Sequence, residues 1–99
     1  MLVTKPSLEY ATIAFAEEVG EACGKLKRLH RGDYKTSVHM NGNTEFDKDF
    51  GNELGDVLYY LVCAAHNVNL TLSDVIALNV LKLQARHAAG TIKGTGDKR

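Results

Sequence analysis

Two short acidic motifs stand out in this sequence because each would place two carboxylates on one face of a helix. They are Glu18-Val19-Gly20-Glu21 and Glu53-Leu54-Gly55-Asp56, and both have the form acid, apolar, glycine, acid. Residues three apart on a helix are neighbours, with Cβ atoms about 5–6 Å apart. If the two helices pack antiparallel with these faces opposed, four carboxylates converge. Such crowding raises carboxyl pKa values unless a cation is present, and Mg²⁺ prefers oxygen ligands. The motifs therefore predict an acidic Mg²⁺ site between two helices.

Each motif also has an ordinary interpretation. A lone Glu-x-x-Glu is common on solvated helix surfaces, and Lys25 follows Glu21 at the spacing of a favourable surface ion pair. Asp56 is less ordinary, because a long apolar run follows it and no basic residue lies one turn away along its helix. Gly20 and Gly55 each cost about 1 kcal/mol relative to alanine inside a helix. Those glycines favour either a close helix crossing or a closely approaching phosphate, so the two motifs together favour the metal site.

A polar stripe in the third predicted helix supplies the opposite charge. Asn79, Lys82 and Arg86 are spaced by three and four residues, and Lys and Arg commonly bind phosphate oxygens. The alternative is a solvent-facing stripe. Lys93 lies in residues 91–99, which we interpret as a flexible, basic, glycine-rich tail whose N–H groups could surround an anion. Acids for Mg²⁺ and bases for phosphate are the combination that phosphoryl or nucleotidyl chemistry requires.

The bulk properties limit the choice of function. A chain of 99 residues predicts a single domain, 1–99. Twelve basic and 12 acidic residues give no net charge. The sequence therefore lacks the excess of basic residues that is typical of proteins that bind a nucleic-acid polymer or a membrane surface. The longest apolar run is far shorter than the roughly 20 residues of a membrane span. Cys23 and Cys63 are expected to be buried, reduced thiols, and the N-terminus lacks an apolar leader, so we expect a soluble cytoplasmic protein.

Helix signals divide the chain into three segments. Ser7 is the expected N-cap of a helix over about 8–30, a second helix begins near Asn43 or Thr44, and Thr71 with Asp74 opens a third that ends at Gly90. The fold class is therefore all-α, an antiparallel bundle of three main helices per chain. The apolar stripes are wider than a three-helix monomer needs, which predicts completion by a homodimer or homotetramer. Six residues were expected to form the packing seam of the first helix: Thr12, Phe15, Val19, Ala22, Leu26 and Leu29.

The ordered set of motifs resembles the MazG-like nucleotide pyrophosphohydrolases of the all-α NTP pyrophosphohydrolase superfamily. The resemblance rests on residues 17–21, 53–56, Asn79-x-x-Lys82 and the tail from Gly90, and covers nearly the whole chain. It implies that Glu17 orients or activates water and that Asn79 and Lys82 contact phosphate or sugar. The metal ligands that it implies are Glu18, Glu21, Glu53 and Asp56.

The resemblance further implies hydrolysis of a nucleoside triphosphate, in our interpretation a dNTP, to the monophosphate and pyrophosphate. The agent would be water activated by Mg²⁺, with Mn²⁺ as the alternative ion. Two other functions stay open: a phosphoribosyl-ATP pyrophosphohydrolase, and a non-catalytic helical module that binds a basic partner. Some relatives stack the base on Trp, which this chain lacks. Four aromatic residues could substitute and leave the base preference open: Tyr10, Tyr34, Phe46 and Tyr59.

Overall fold

The computed structural model describes residues 5–35 and 42–90. Within these ranges the chain forms three helices, α1 (Leu8–His30), α2 (Glu45–Asn67) and α3 (Leu72–Ala89), and no strand. The predicted all-α class and the three helices are confirmed. The tail 91–99 with Lys93 lies outside the described residues, so its assigned role stays a prediction, as does the single-domain organisation.

Side-chain caps fix the start of each helix. The Ser7 hydroxyl accepts a hydrogen bond from a backbone N–H of the first turn of α1 at 3.1 Å. Thr71 and Asp74 form the predicted capping box, with reciprocal bonds of 3.1 and 2.9 Å. Thr44 and Asp47 form a second box of the same geometry, which the sequence analysis did not identify. Each box satisfies backbone donors that a helix cannot satisfy internally.

The helices α1 and α2 pack as an antiparallel pair. The Asn67 side chain donates a hydrogen bond to the Pro6 carbonyl at 2.9 Å, and the rings of Tyr10 and Tyr60 lie 6.4 Å apart. Further along α1, Lys25 pairs with Glu53. Residue numbers thus rise along α1 as they fall along α2, which is the predicted antiparallel arrangement and the one that opposes the two acidic motifs.

The packing face of α1 differs from the predicted seam. Its buried residues are Ala11, Ala14 and Ala22, which follow one helical stripe. Small side chains let the α2 backbone approach closely, and the same stripe carries Glu18 on the inner face. The predicted seam was therefore offset by about one residue, and four of its six members are exposed in one chain: Thr12, Val19, Leu26 and Leu29. Cys23 is exposed for the same reason, a second correction, whereas Cys63 is buried as predicted.

The third helix turns away from the other two. The axes of α2 and α3 are bent by 93° at their short connection, and α3 contacts α2 but not α1 among the described residues. No residue of α3 is buried, although the helix is rich in large apolar side chains. Five of them are at least partly open to solvent in one chain: Ile76, Leu78, Val80, Leu81 and Leu83.

The described helices do not individually meet the requirements of a membrane span. None of them is long and apolar enough by itself to cross a bilayer, and only the bent pair α2 and α3 meets the length and composition criteria together.

Candidate metal centre

Three carboxylates from two helices meet at the centre of the α1–α2 pair. Glu18 lies on the alanine stripe of α1, between Ala14 and Ala22, and therefore faces α2. Glu53 and Asp56 are three residues apart on α2 and share a face. One oxygen of each carboxylate lies within 4.8 Å of the other two. We call Glu18, Glu53 and Asp56 the acidic cluster.

The electrostatics of the acidic cluster favour a bound cation. Glu18 and Glu53 are half-buried and Asp56 is exposed. Partial burial raises the pKa of Glu18 above its ordinary value of 4.5, and the charges of Asp56 and Glu53 raise it further. Desolvation and like charges both disfavour the ionised form of Glu18. A divalent cation would reverse both effects.

The fourth predicted ligand and the predicted water-orienting residue lie beside the acidic cluster. Glu21 is one turn further along α1 and lines an adjoining pocket, outside the tight group of three. Glu17 precedes Glu18 and is exposed. Both contribute to the raised pKa of Glu18, more weakly than Asp56 and Glu53. The metal-binding and catalytic roles of these residues stay predictions.

The structure adds a basic residue to the neighbourhood of the cluster. Lys25 Nζ lies 3.8 Å from Glu53 Oε2, and the two side chains are 25% and 15% exposed. From the sequence, Lys25 was expected only as a surface partner of Glu21, but among the described ion pairs its partner is Glu53. The position of Lys25 could have been predicted from its spacing of seven residues from Glu18, because this spacing places both residues on the face of α1 that packs against α2.

Tyrosines border the opposite end of the acidic cluster. Tyr60 is half-buried one turn after Asp56, and its ring lies 6.4 Å from Tyr10 and 5.0 Å from Tyr59. Partial burial raises the pKa of Tyr60, and Tyr10, Glu18 and Asp56 raise it further. The Tyr60 hydroxyl therefore keeps its proton near the carboxylates. The sequence analysis did not single out Tyr60, although its spacing of four from Asp56 predicts a shared face.

The other aromatic residues proposed for base stacking pack against one another. The Tyr34 and Phe46 rings meet edge to face at 5.4 Å, and Phe46 stacks on Phe50 at 5.3 Å. The Tyr34 hydroxyl donates to Asp49 at 3.2 Å. These contacts hold the start of α2 against the chain that follows α1. The role of these rings in base recognition stays a prediction.

Space around the two motif glycines is open in this chain. A Cβ atom added at Gly20 or Gly55 would meet no atom within 4 Å among the described residues. The predicted close helix crossing is therefore wrong as an explanation within one chain. The other predicted reason for the two glycines, a closely approaching phosphate, remains a prediction.

The predicted substrate-binding residues of α3 lie elsewhere in a single chain. Asn79 and Lys82 line a groove of about 610 Å³ between α2 and α3, together with apolar residues such as Leu61 and Val75 and with no member of the acidic cluster. Arg86 follows on the same helix. Because α3 turns away by 93°, the described chain does not bring these three residues to the carboxylates. Their role stays a prediction.

The donor set of the acidic cluster fits a hard divalent cation. All its donors are carboxylate oxygens, the ligands that Mg²⁺ and Mn²⁺ prefer, and they are near enough to share one ion. Thiolate or imidazole donors, which softer transition metals prefer, are not part of the group among the described residues. The Lys25 ammonium beside Glu53 shows that this site already attracts positive charge.

Comparisons with known proteins show the family to which this chain is similar. The family model described as the MazG nucleotide pyrophosphohydrolase domain matches residues 7–91. The chain is 37% identical over 92 residues to the Gene 37 protein of Mycobacterium phage L5, covering 93% of this chain and 76% of the phage protein. No solved structure shows a significant match. The matched range contains all three helices and every member of the acidic cluster.

Proposed function

Because the chain belongs to the MazG nucleotide pyrophosphohydrolase family, we propose that it hydrolyses a nucleoside triphosphate in a Mg²⁺-dependent reaction. The products are the monophosphate and pyrophosphate, and the expected substrates are dNTPs. The observation that carries this proposal is the convergence of Glu18, Glu53 and Asp56 from two helices within 4.8 Å. Mn²⁺ would fit the same oxygen donors.

The chemistry follows from the residues of the cluster. Glu18, Glu53 and Asp56 would hold the cation, with Glu21 one turn away as the fourth candidate ligand. When bound there, Mg²⁺ would lower the pKa of a coordinated water and would offset the charge that develops on phosphate oxygens. The water oxygen would form a bond to the α-phosphorus as the bond from that phosphorus to the α–β bridging oxygen breaks, and pyrophosphate would leave with the bridging oxygen and the electron pair. Glu17 is our candidate for accepting the proton that the water loses.

Tyr60 contributes a donor at the same place. A phenol is protonated at neutral pH, and the raised pKa of Tyr60 disfavours its ionisation further, so its hydroxyl can donate a hydrogen bond to an anionic oxygen near Glu18 and Asp56. We assign it the role of orienting the substrate or the attacking water. Tyr10, whose ring neighbours Tyr60, would then border the substrate on the same side.

We also infer that a second copy of this chain covers α3 and the exposed face of α1. Among the residues that the structure describes, 15 large apolar side chains are at least 38% exposed, whereas the buried residues are small, such as Ala11, Ala22 and Cys63. An isolated helix is marginal in water, so α3 needs a permanent partner. A second copy is always available, and large exposed apolar surfaces usually mark interfaces. In such a homodimer or homotetramer, Asn79, Lys82 and Arg86 of one chain could reach the acidic cluster of another.

The direct test of this function is analysis of the products. The protein is incubated in Mg²⁺ with each dNTP, with each NTP and with phosphoribosyl-ATP, and the phosphorus products are identified by ³¹P NMR. Equal amounts of monophosphate and pyrophosphate are expected, with no product when EDTA replaces Mg²⁺. Release of orthophosphate would contradict the proposed bond. Turnover of phosphoribosyl-ATP in preference to every dNTP and NTP would favour that alternative substrate, and no turnover of any nucleotide would favour a non-catalytic module.

A further inference from the structure

A pocket rich in positive charge lies next to the acidic cluster, and the function proposed above gives its cations no role. It occupies about 330 Å³ along the second half of α1, and four of its six lining residues are cations. We call it the basic pocket, and its lining residues are Glu21, Gly24, Lys25, Lys27, Arg28 and Arg31.

Lys25 joins the basic pocket to the acidic cluster. Its Nζ lies 3.8 Å from Glu53 Oε2, and both side chains are more than two-thirds shielded from solvent. A partly shielded ion pair is screened less than an exposed one. Lys25 therefore offsets the charge of Glu53 when no other cation does. A divalent cation that binds Glu53 would displace the ammonium group, which has a flexible four-carbon stem and can turn into the pocket.

The two arginines of the basic pocket are held in different ways. Arg31 donates two hydrogen bonds to one oxygen of Asp33, at 3.0 and 2.8 Å, so its charge is largely offset. Arg28 stacks its guanidinium over the Tyr34 ring at 5.1 Å. A stacked guanidinium keeps its N–H donors available in the plane of the group. Lys25 and Arg28 are therefore the best-placed cations for an anionic ligand.

We propose that Lys25 and Arg28 bind the terminal phosphates of the substrate, the part that leaves as pyrophosphate. This inference rests on the proposed function, since it assumes a triphosphate whose α–β bond lies at the acidic cluster. In the free protein Lys25 pairs with Glu53; with metal and nucleotide bound, it pairs with the β- or γ-phosphate. Cations there also stabilise the charge that appears on the leaving group. The pocket thus selects triphosphates over diphosphates.

Removal of the Lys25 charge should have two opposite effects. Lys25→Met keeps most of the stem and loses the ammonium group. Without nucleotide, it should bind Mg²⁺ several-fold more tightly, because no resident cation competes for Glu53. It should bind Mg²⁺-pyrophosphate about 10–100-fold more weakly, as expected for loss of a charged hydrogen bond. Lys25→Arg should restore most of the pyrophosphate affinity. Isothermal titration calorimetry on the full chain measures the Mg²⁺ affinity and the Mg²⁺-pyrophosphate affinity of the wild type and of each variant.

Lys48→Met is the matched control, since Lys48 is exposed and its ion pair is with Glu45 on its own helix. This control should leave both affinities unchanged. If Lys25→Met does not fold, as judged by circular dichroism, Arg28→Met gives the second measurement of pyrophosphate affinity. Pyrophosphate affinity within about twofold of wild type in the folded variants would overturn the proposal, as would loss of Mg²⁺ affinity in Lys25→Met. The calorimetry needs no turnover, so failure of the hydrolase assignment would be seen separately, in the product analysis.

Discussion

Glu18 of α1 and Asp56 of α2 bring carboxylate oxygens to within 4.8 Å of each other, although 37 residues separate them in the chain. The antiparallel packing of the two helices creates this pair, and Glu53 completes the group. Two like charges at this distance repel each other, and a bound cation would offset the repulsion. This repulsion in the free protein is the physical basis of the proposed metal dependence.

Asp56→Asn should abolish turnover and leave the helices intact. The amide keeps the shape of the side chain but removes the charge that a metal ligand supplies. Loss of a residue that only supports a metal ligand commonly costs about 10–100-fold, so loss of a ligand should cost at least about 100-fold in kcat/KM. Pyrophosphate release measures the activity and circular dichroism the fold. Full activity in Asp56→Asn would remove this residue from the metal site.

Glu18→Gln should stabilise the protein when metal is absent. The folded-state pKa of Glu18 is raised above 4.5, so its destabilising charge is absent at acidic pH and develops as the pH rises through the folded-state pKa. The melting temperature of the variant in EDTA should therefore exceed that of wild type at pH 7.5, and the difference should vanish below about pH 4.5. Added Mg²⁺ should raise the melting temperature of wild type more than that of the variant. If the melting temperature of Glu18→Gln in EDTA does not exceed that of wild type at pH 7.5, the charge of Glu18 does not destabilise the metal-free protein.

Gly20→Ala and Gly55→Ala should stabilise the helices and reduce activity. Alanine in a helix interior is favoured over glycine by about 0.8–1 kcal/mol, and the added Cβ meets no atom within 4 Å in this chain. For a domain of this size, this corresponds to a rise of roughly 4–8 °C in melting temperature. A lower kcat/KM at unchanged folding would indicate that phosphate approaches the glycines. A lower melting temperature would instead show that a packing contact in the assembly needs them.

Asn67→Ala should weaken the α1–α2 pair. The Asn67 amide donates to the carbonyls of Pro6 at 2.9 Å and Cys63 at 2.8 Å, and so ties the end of α2 to the start of α1. Loss of these bonds should lower the free energy of unfolding by about 1–2 kcal/mol, measured by urea denaturation. Asn52→Ala, at an exposed position of the same helix, is the control and should be neutral or slightly stabilising. Equal stability of the two variants would show that the link is unimportant.

Leu81→Glu should dissociate the proposed assembly. Leu81 is 63% exposed in one chain, on the helix that contains no buried residue. A charge within an apolar interface between copies would be costly to bury. Sedimentation velocity should show a shift from dimer or tetramer toward monomer, with loss of activity. Gln84→Glu adds the same charge at an exposed polar position of α3 and should remain assembled. A monomeric wild type, or an undisturbed Leu81→Glu assembly, would contradict the inferred interface.

Local signals predicted the helices well, because caps act within one turn. Ser7 and the Thr71–Asp74 box determine where α1 and α3 begin, and both were identified from residue type and spacing. The spacing of three within each acidic motif likewise predicted that two carboxylates share a face. These inferences needed no knowledge of which face packs against which.

Relationships between helices were harder to predict. The apolar period of α1 allows two adjacent seams, and the one that packs is lined by small residues, Ala11 and Ala14, rather than by Val19 and Leu26. Large apolar side chains indicate a buried surface, but in a chain that assembles with other copies this surface need not face a helix of the same chain. The ion pair of Lys25 with Glu53 and the 93° turn of α3 depend on this packing, so neither could be derived from spacing alone.

The most direct measurement of the central claim is anomalous diffraction from crystals of the full chain soaked in Mn²⁺. We expect an anomalous peak between Glu18, Glu53 and Asp56, from a Mn²⁺ ion coordinated by at least one oxygen of each carboxylate. A peak at another place, or none at a Mn²⁺ concentration that supports turnover, would contradict it.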